Sequence, residues 1–220
     1  MTIRPIVEGH GEIEAVPVLL RRLIAEAQFY GLSVLKPIRR TRTQFLRKND
    51  VQAAVSLVLL GAGCDVILFV LDADDECPLE RASQIKNWAD ETAAGRAHCE
   101  VVVANREYEA WFLASMESLR GKAGIREDAR YDDDCEAVRG AKEALERLMV
   151  PNRFYNERID QPSLTDQLDL KVTFEKSRSF RRLVKAFANT TVALGRNCQF
   201  PQPCSGACEC SLCKAVGLAY

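Results

Sequence analysis

The stretch Asp65-Val66-Ile67-Leu68-Phe69-Val70-Leu71-Asp72-Ala73-Asp74-Asp75 decides how the chain is read. Val66 to Leu71 is an unbroken run of branched and aromatic apolar side chains. A strand with one wet face would alternate, so an unbroken run predicts a central parallel strand covered on both sides. The polar cluster from Asp72 to Asp75 then stands at its carboxyl end, where open α/β sheets form their ligand crevices.

Towards the N-terminus, Ile3 to Val7 reads as a first strand and Gly9 and Gly11 as turn punctuation. Ile13, Val16, Leu19, Leu20, Leu23 and Ile24 recur at helical spacing and predict a helix from Glu12 to about Gln28, with a kink at Pro17. Ser33 to Ile38 suits a second strand, and Asp50 an N-cap for a helix over Val51 to Leu60 closed by Gly61 and Gly63. Downstream, Pro78 opens a helix to about Gly95, Glu100 to Ala104 is a strand, and Glu107 to Met116 a helix. This alternation predicts an α/β fold with a mainly parallel sheet and flanking helices.

Past Gly121 the pattern weakens. Asp132-Asp133-Asp134 reads as an acidic turn, Cys135 to Met149 as helical, Pro151 to Asp169 as loop, and Phe180 to Phe187 as a last amphipathic helix. The expected organisation is a core over residues 1–120, a helical elaboration of the same domain over 121–197, and a Cys-rich tail over 198–220. A chain of 220 residues can bury a sizeable single core. At 47% hydrophobic and 28% charged it is composed like a folded globular domain rather than a disordered one. No apolar stretch approaches the ~20 residues of a membrane-spanning helix. Met1 to Pro5 leads directly into a strand with no leader, so cytoplasmic residence is expected.

Three groups of carboxylates follow strands: Glu8 after the first, Asp72 and Asp74 after the central one, and Glu107 and Glu109 after the Glu100 to Ala104 strand. If these strands are neighbours, the acids share one crevice. Magnesium takes hard oxygen ligands and keeps several waters, so a few such carboxylates and a substrate phosphate suffice to hold it. Glycines flanking Glu8 are expected to let a phosphate backbone approach the main chain. Acids at strand ends also serve as caps and turn formers, and Trp111 and Phe112 of the following helix suit a core. His10 reads as a loop residue and His98 as structural.

The net charge of −1 advertises no polyanion partner, but nucleic-acid binding depends on local patches. Arg39, Arg40 and Arg42, with Lys36, Arg47 and Lys48, form one patch; Lys176, Arg181 and Arg182, with Arg178 and Lys185, form another. Each also reads as a solvated helix face.

Val7-Glu8-Gly9-His10-Gly11-Glu12 followed by Phe69-Val70-Leu71-Asp72-Ala73-Asp74-Asp75 resembles the Toprim pattern, in which a glutamate follows the first strand and Asp-x-Asp a later one. Toprim domains occur in topoisomerases, bacterial primases and nucleases of the overcoming-lysogenization-defect type. More closely, the chain is similar to a bacterial family of domains of unknown function with a Toprim-like fold, often found at defence loci. Its EGxxE start, Asp-x-Asp strand end, Glu-x-Glu-Ala-Trp-x-Leu-Ala helix and late basic segment correspond to Glu8 and Glu12, Asp72 and Asp74, Glu107 to Ala114, and Lys171 to Phe187.

The resemblance implies a Toprim-like, Rossmann-like sheet and a nuclease or nicking phosphodiesterase in an anti-phage system. Glu8, Glu12, Asp72 and Asp74 would be its catalytic residues, and Mg²⁺ or Mn²⁺ would be held by Glu8, Asp72, Asp74 and Glu109. It implies nucleic acid, DNA before RNA, as substrate, and a homo-oligomer is compatible with it. An ATPase partner is expected, since no phosphate-binding GxxxxGK[ST] loop occurs here. Lys171 or Lys176 is the candidate for the transition-state cation. The alternative is a non-catalytic module that binds metal or nucleic acid. A phosphate-accepting receiver domain, with Asp72 as acceptor, is a third reading, weakened by the missing acidic pair after the first strand.

Cys204-x3-Cys208-x-Cys210-x2-Cys213 places four thiols within ten residues, with Cys198 nearby. Tetrahedral sulfur ligation suits a structural zinc, with free thiols or an iron–sulfur cluster as alternatives.

Overall fold

The computed structural model describes residues 1–61 and 63–194. The central run forms β4 (Val66–Asp72), flanked by β1 (Thr2–Val7) and β5 (His98–Ala104), all parallel. Its side chains divide by parity. Val66, Leu68 and Val70 enter one apolar cluster, and Ile67, Phe69 and Leu71 the other. The first cluster draws on α1 (Glu12–Glu26), α5 (Ala110–Ala114) and α10 (Arg178–Ala193); the second draws on α3 (Lys48–Leu60) and α4 (Pro78–Ala93). The chain is thus an α/β fold whose mainly parallel sheet is flanked by helices, as the unbroken apolar run predicts.

The expected strand from Ser33 to Ile38 is split. β2 (Ser33–Val34) pairs with the start of β1 and β3 (Ile38–Arg39) with its end. Pro37 lacks the N–H a ladder needs, and the Arg4 guanidinium donates to the Lys36 carbonyl beside the break at 3.0 Å. The sheet order is β2-β1-β4-β5, with β3 also on β1. From β1 the chain goes first to one side of the sheet and then to the other, so the switch point lies between the carboxyl ends of β1 and β4.

Helix α1 runs continuously through Pro17. Helix α3 starts earlier than expected: Arg47 is its N-cap, and Asp50 lies in its first turn, where an acid favours the helix dipole. The Glu107 to Met116 segment resolves into α5 and a separate α6 (Met116–Leu119).

The largest departures fall beyond Gly121. Only α7 (Ala141–Glu146) is helical within Cys135 to Met149. The expected loop from Pro151 to Asp169 contains α8 (Glu157–Gln167), which packs on α1, and α9 (Leu170–Lys176) precedes α10. Helix α8 turns Asp160, Gln161, Leu164 and Thr165 inward, so its buried face carries no apolar stripe. Ile125, Leu145, Leu164 and Phe187 join the same cluster as Val7, Val70 and Val102 of the sheet. Among the described residues no helix is long and apolar enough to cross a membrane.

Candidate functional site

Register brings the acids to one edge. Val7 pairs with Val70 and Asp72 with Ala104, so Glu8, Asp72 and the turn leading to Glu109 all emerge at the carboxyl ends of adjacent strands. Hydrogen bonds fix the Asp72 and Glu109 side chains and the turn that carries Glu8. Glu12, 2% exposed at the start of α1, accepts from the Glu8 and Gly9 N–H groups at 2.9 and 3.0 Å through one oxygen, which shapes the turn that presents Glu8. Asp72 accepts from the Tyr108 N–H at 2.9 Å, tying the β4 end to the turn before α5. Glu109 is 1% exposed and accepts from the Tyr155 hydroxyl at 3.0 Å.

Putting like charges under cover raises their proton affinity. Burial, then repulsion from Glu12, Glu109 and Glu8, pushes the Asp72 carboxyl well above the usual carboxylate range. Glu12 is pushed up to about 8 and Glu109 to about 7, in both cases chiefly by burial. Glu8 is raised by burial, against the pull of Arg42. A buried Oε2 on both Glu8 and Glu109 has no hydrogen-bond partner among the described residues. Carboxylates held apart from water, mutually repelling and with oxygens left over, fit a hard divalent cation.

A ready-made ligand set is nevertheless not formed: among the described residues no three His, Cys, Asp or Glu groups stand close enough to enclose an ion. A guanidinium is seated there. Arg42, in the short helix α2 (Arg42–Phe45), places Nη1 3.0 Å from Asp74 Oδ2 and 4.0 Å from Glu8 Oε2. Asp74 itself takes φ +50° and is mostly exposed, facing this arginine. The second acid of the Asp-x-Asp pair therefore stands at the mouth of the crevice.

Gly11 owes its place to packing. A Cβ there would collide with Gln161 Oε1 and the Glu157 carbonyl oxygen, so α8 covers its face. At Gly9 a Cβ would meet ordinary contacts with Glu12 at 3.5 Å. Of the two, only Gly9 leaves room for a ligand to approach.

Sequence reasoning misses Lys142. Burial disfavours its charge, but Glu109, Glu157 and Asp72 outweigh this and raise its pKa. Its Nζ donates to Glu157 Oε1 at 2.5 Å, while its backbone N–H donates to Glu107 Oε2 at 3.0 Å. Lys142 lies beside the carboxylates, whereas Lys176 pairs with Glu117 at 3.3 Å. Its signal is hidden because α7 is too short to show periodicity. Tyr155, Glu157 and Arg158 come from the segment expected to be a loop, and Arg158 reaches the exposed His10 at 3.5 Å.

The basic patches are partly consumed by the fold. Arg40 donates to the Arg39 carbonyl at 3.0 Å, and Arg39 is half-buried. Arg181 donates to the Phe174 and Glu175 carbonyls at 3.0 and 2.9 Å, leaving Arg178, Arg182 and Lys185 exposed on α10. His98 pairs with Glu100 at 3.0 Å within β5, a structural role. Cys198, Cys204, Cys208, Cys210 and Cys213 lie outside the described residues.

Neither a curated protein nor a solved structure gives a match. The family model described as Domain of unknown function (DUF4276) matches residues 7–188, and the chain belongs to that family.

Proposed function

We propose that the chain is a Toprim-type, divalent-metal-dependent phosphodiesterase that cuts or nicks nucleic acid, DNA before RNA. One observation carries the reading: Glu8 and Asp72 stand at the β1/β4 switch point with Glu109 near Asp72, Glu8 and Glu109 each keep a buried oxygen without a partner among the described residues, and Lys142 lies beside them. Glu8, Asp72 and Glu109 would hold Mg²⁺ or Mn²⁺, with Asp74 at the outer side. The ion would supply charge neutralisation at the phosphate and acidify an attacking water.

The chain's own residues do the rest. Glu12 and the Tyr108 N–H set the positions of Glu8 and Asp72. Glu8, its proton affinity raised by burial, is suited to exchange a proton with the attacking water or the leaving group. Lys142 offers a fixed ammonium to a non-bridging phosphate oxygen. In hydrolysis the water oxygen bonds to phosphorus as one ester P–O bond breaks, and the departing oxygen takes up a proton. Defence function, an ATPase partner and self-association extend this reading and come from the family resemblance alone.

The non-catalytic alternative draws support from Arg42, which neutralises the crevice as it stands. Incubation of the protein with single- and double-stranded DNA and RNA, with Mg²⁺, Mn²⁺ or EDTA, separates the two. Metal-dependent cleavage that disappears in Asp72→Asn supports the enzyme; no cleavage of any substrate with either metal supports the module.

A further inference from the structure

We propose that Arg42 is a stand-in cation, holding the acidic crevice until a divalent ion enters and then passing to a substrate phosphate. The inference rests on the metal-dependent reading above and adds how that site is regulated. Its basis is the difference between what Arg42 satisfies and what it merely neutralises.

The guanidinium is anchored by its own helix. Phe45 of α2 is buried edge-on against Phe69, with ring centroids 6.2 Å apart. From that anchor Nη1 donates to the Asp72 carbonyl at 2.9 Å and Nη2 to the Ala73 carbonyl at 3.3 Å. Nη1 also meets Asp74 at 3.0 Å, and Nη2 meets Glu76 Oε1 at 3.2 Å. Towards Glu8 the separation is 4.0 Å, which is attraction without a hydrogen bond, and that oxygen stays unsatisfied among the described residues.

Arg42 gives up its bond to the Asp72 carbonyl on leaving, but the Ala73 carbonyl keeps the Glu76 N–H at 3.0 Å and two of the three acids keep other partners. Glu76 keeps Arg81, whose Nε and Nη2 lie 2.6 and 2.5 Å from its other oxygen. Asp74 is mostly exposed and regains water. Glu8 alone would be left with a buried charge, and Glu8 is the residue an incoming ion would take. A guanidinium cannot shed its proton and a cation beside it is repelled, so occupancy of the crevice by arginine and by metal is mutually opposed. A phosphodiester accepts a bidentate arginine readily, so substrate removes the competitor. Linkage then requires that metal and substrate strengthen each other's binding, with Arg42 as the carrier.

The test is Mn²⁺ affinity, read from the free-ion paramagnetic resonance signal, for wild type, Arg42→Ala, Arg42→Gln, Arg42→Lys and Asp72→Asn. Gln retains donors for the loop carbonyls without the charge, and circular dichroism melts check that each variant is folded. The expected result is roughly tenfold tighter Mn²⁺ binding in Arg42→Ala and Arg42→Gln, near wild-type binding in Arg42→Lys, and loss in Asp72→Asn. Binding that is unchanged or weaker in a folded Arg42→Gln, while wild type binds, overturns this proposal and leaves the metal site standing. No binding in wild type or either neutral variant overturns both.

Discussion

Glu109→Gln should make the protein more stable while disabling its candidate site. Glu109 is 1% exposed and accepts from Tyr155, and its second oxygen has no partner among the described residues. Burial first, opposed by Lys142, moves its carboxyl from the ordinary 4.5 to about 7. An unfolded chain releases this proton near 4.5, whereas the folded chain keeps it to about 7. Between those values the folded state binds more protons, so its stability falls as pH rises and levels off above 7. At about 1.4 kcal/mol per pH unit the cost of the charge reaches about 3 kcal/mol. Glutamine keeps the shape and the oxygen that Tyr155 needs, and removes the charge. The attraction to Lys142 is already contained in the shift to about 7. Near pH 8 the melting temperature should rise by up to roughly 6–12 °C, and near pH 4 it should not change. Mn²⁺ should stabilise wild type and do little for the variant. A variant no more stable than wild type near pH 8, or equally stabilised near pH 4, would show that the buried charge is not what limits stability.

Gly11→Ala drives a Cβ into the Glu157 carbonyl and should cost about 1–3 kcal/mol in urea unfolding, whereas Gly9→Ala should stay within about 0.5 kcal/mol. Burial opposes the Glu136 charge, but the Ser179 N–H and the Ser179, Ser177 and Asn105 side chains hold its pKa below the ordinary value. Its stabilisation is therefore present above the unfolded pKa and lost as pH falls through the folded one. Glu136→Gln should cost about 1–3 kcal/mol at neutral pH, with a smaller difference from wild type in acid, followed by urea titration at each pH. Lys142→Met should abolish metal-dependent cleavage and also lower the melting temperature, because its ammonium pairs with Glu157 and offsets the buried Glu109 charge; unaltered cleavage in the folded variant would remove it from the site.

The parts legible in the sequence are those where one physical signal dominates. Val66 to Leu71 could only be covered on both faces, and the acids after β1, β4 and β5 had to share an edge once those strands paired. Helix α8 is unreadable for a complementary reason: it buries Asp160, Gln161 and Thr165, carries Pro162, and so shows no apolar period. Asp160 is held by Arg153 and by the Asn156 N–H, and Tyr108 meets Thr165 at 3.1 Å. These polar pairings exist only in three dimensions. Lys142 and Tyr155 escape the sequence reading with them, and Arg42 can be seen there as basic but not as turned inward on the carboxylates.

Whether the crevice holds an ion can be seen by diffraction from a crystal grown with Mn²⁺, recorded at a wavelength where manganese scatters anomalously. One strong peak is expected about 2.1 Å from carboxylate oxygens of Glu8 and Asp72, with Arg42 moved away from Glu8. A crystal saturated with Mn²⁺ that shows no peak in this crevice, with Arg42 still against Asp74, would mean that these carboxylates do not form a metal site.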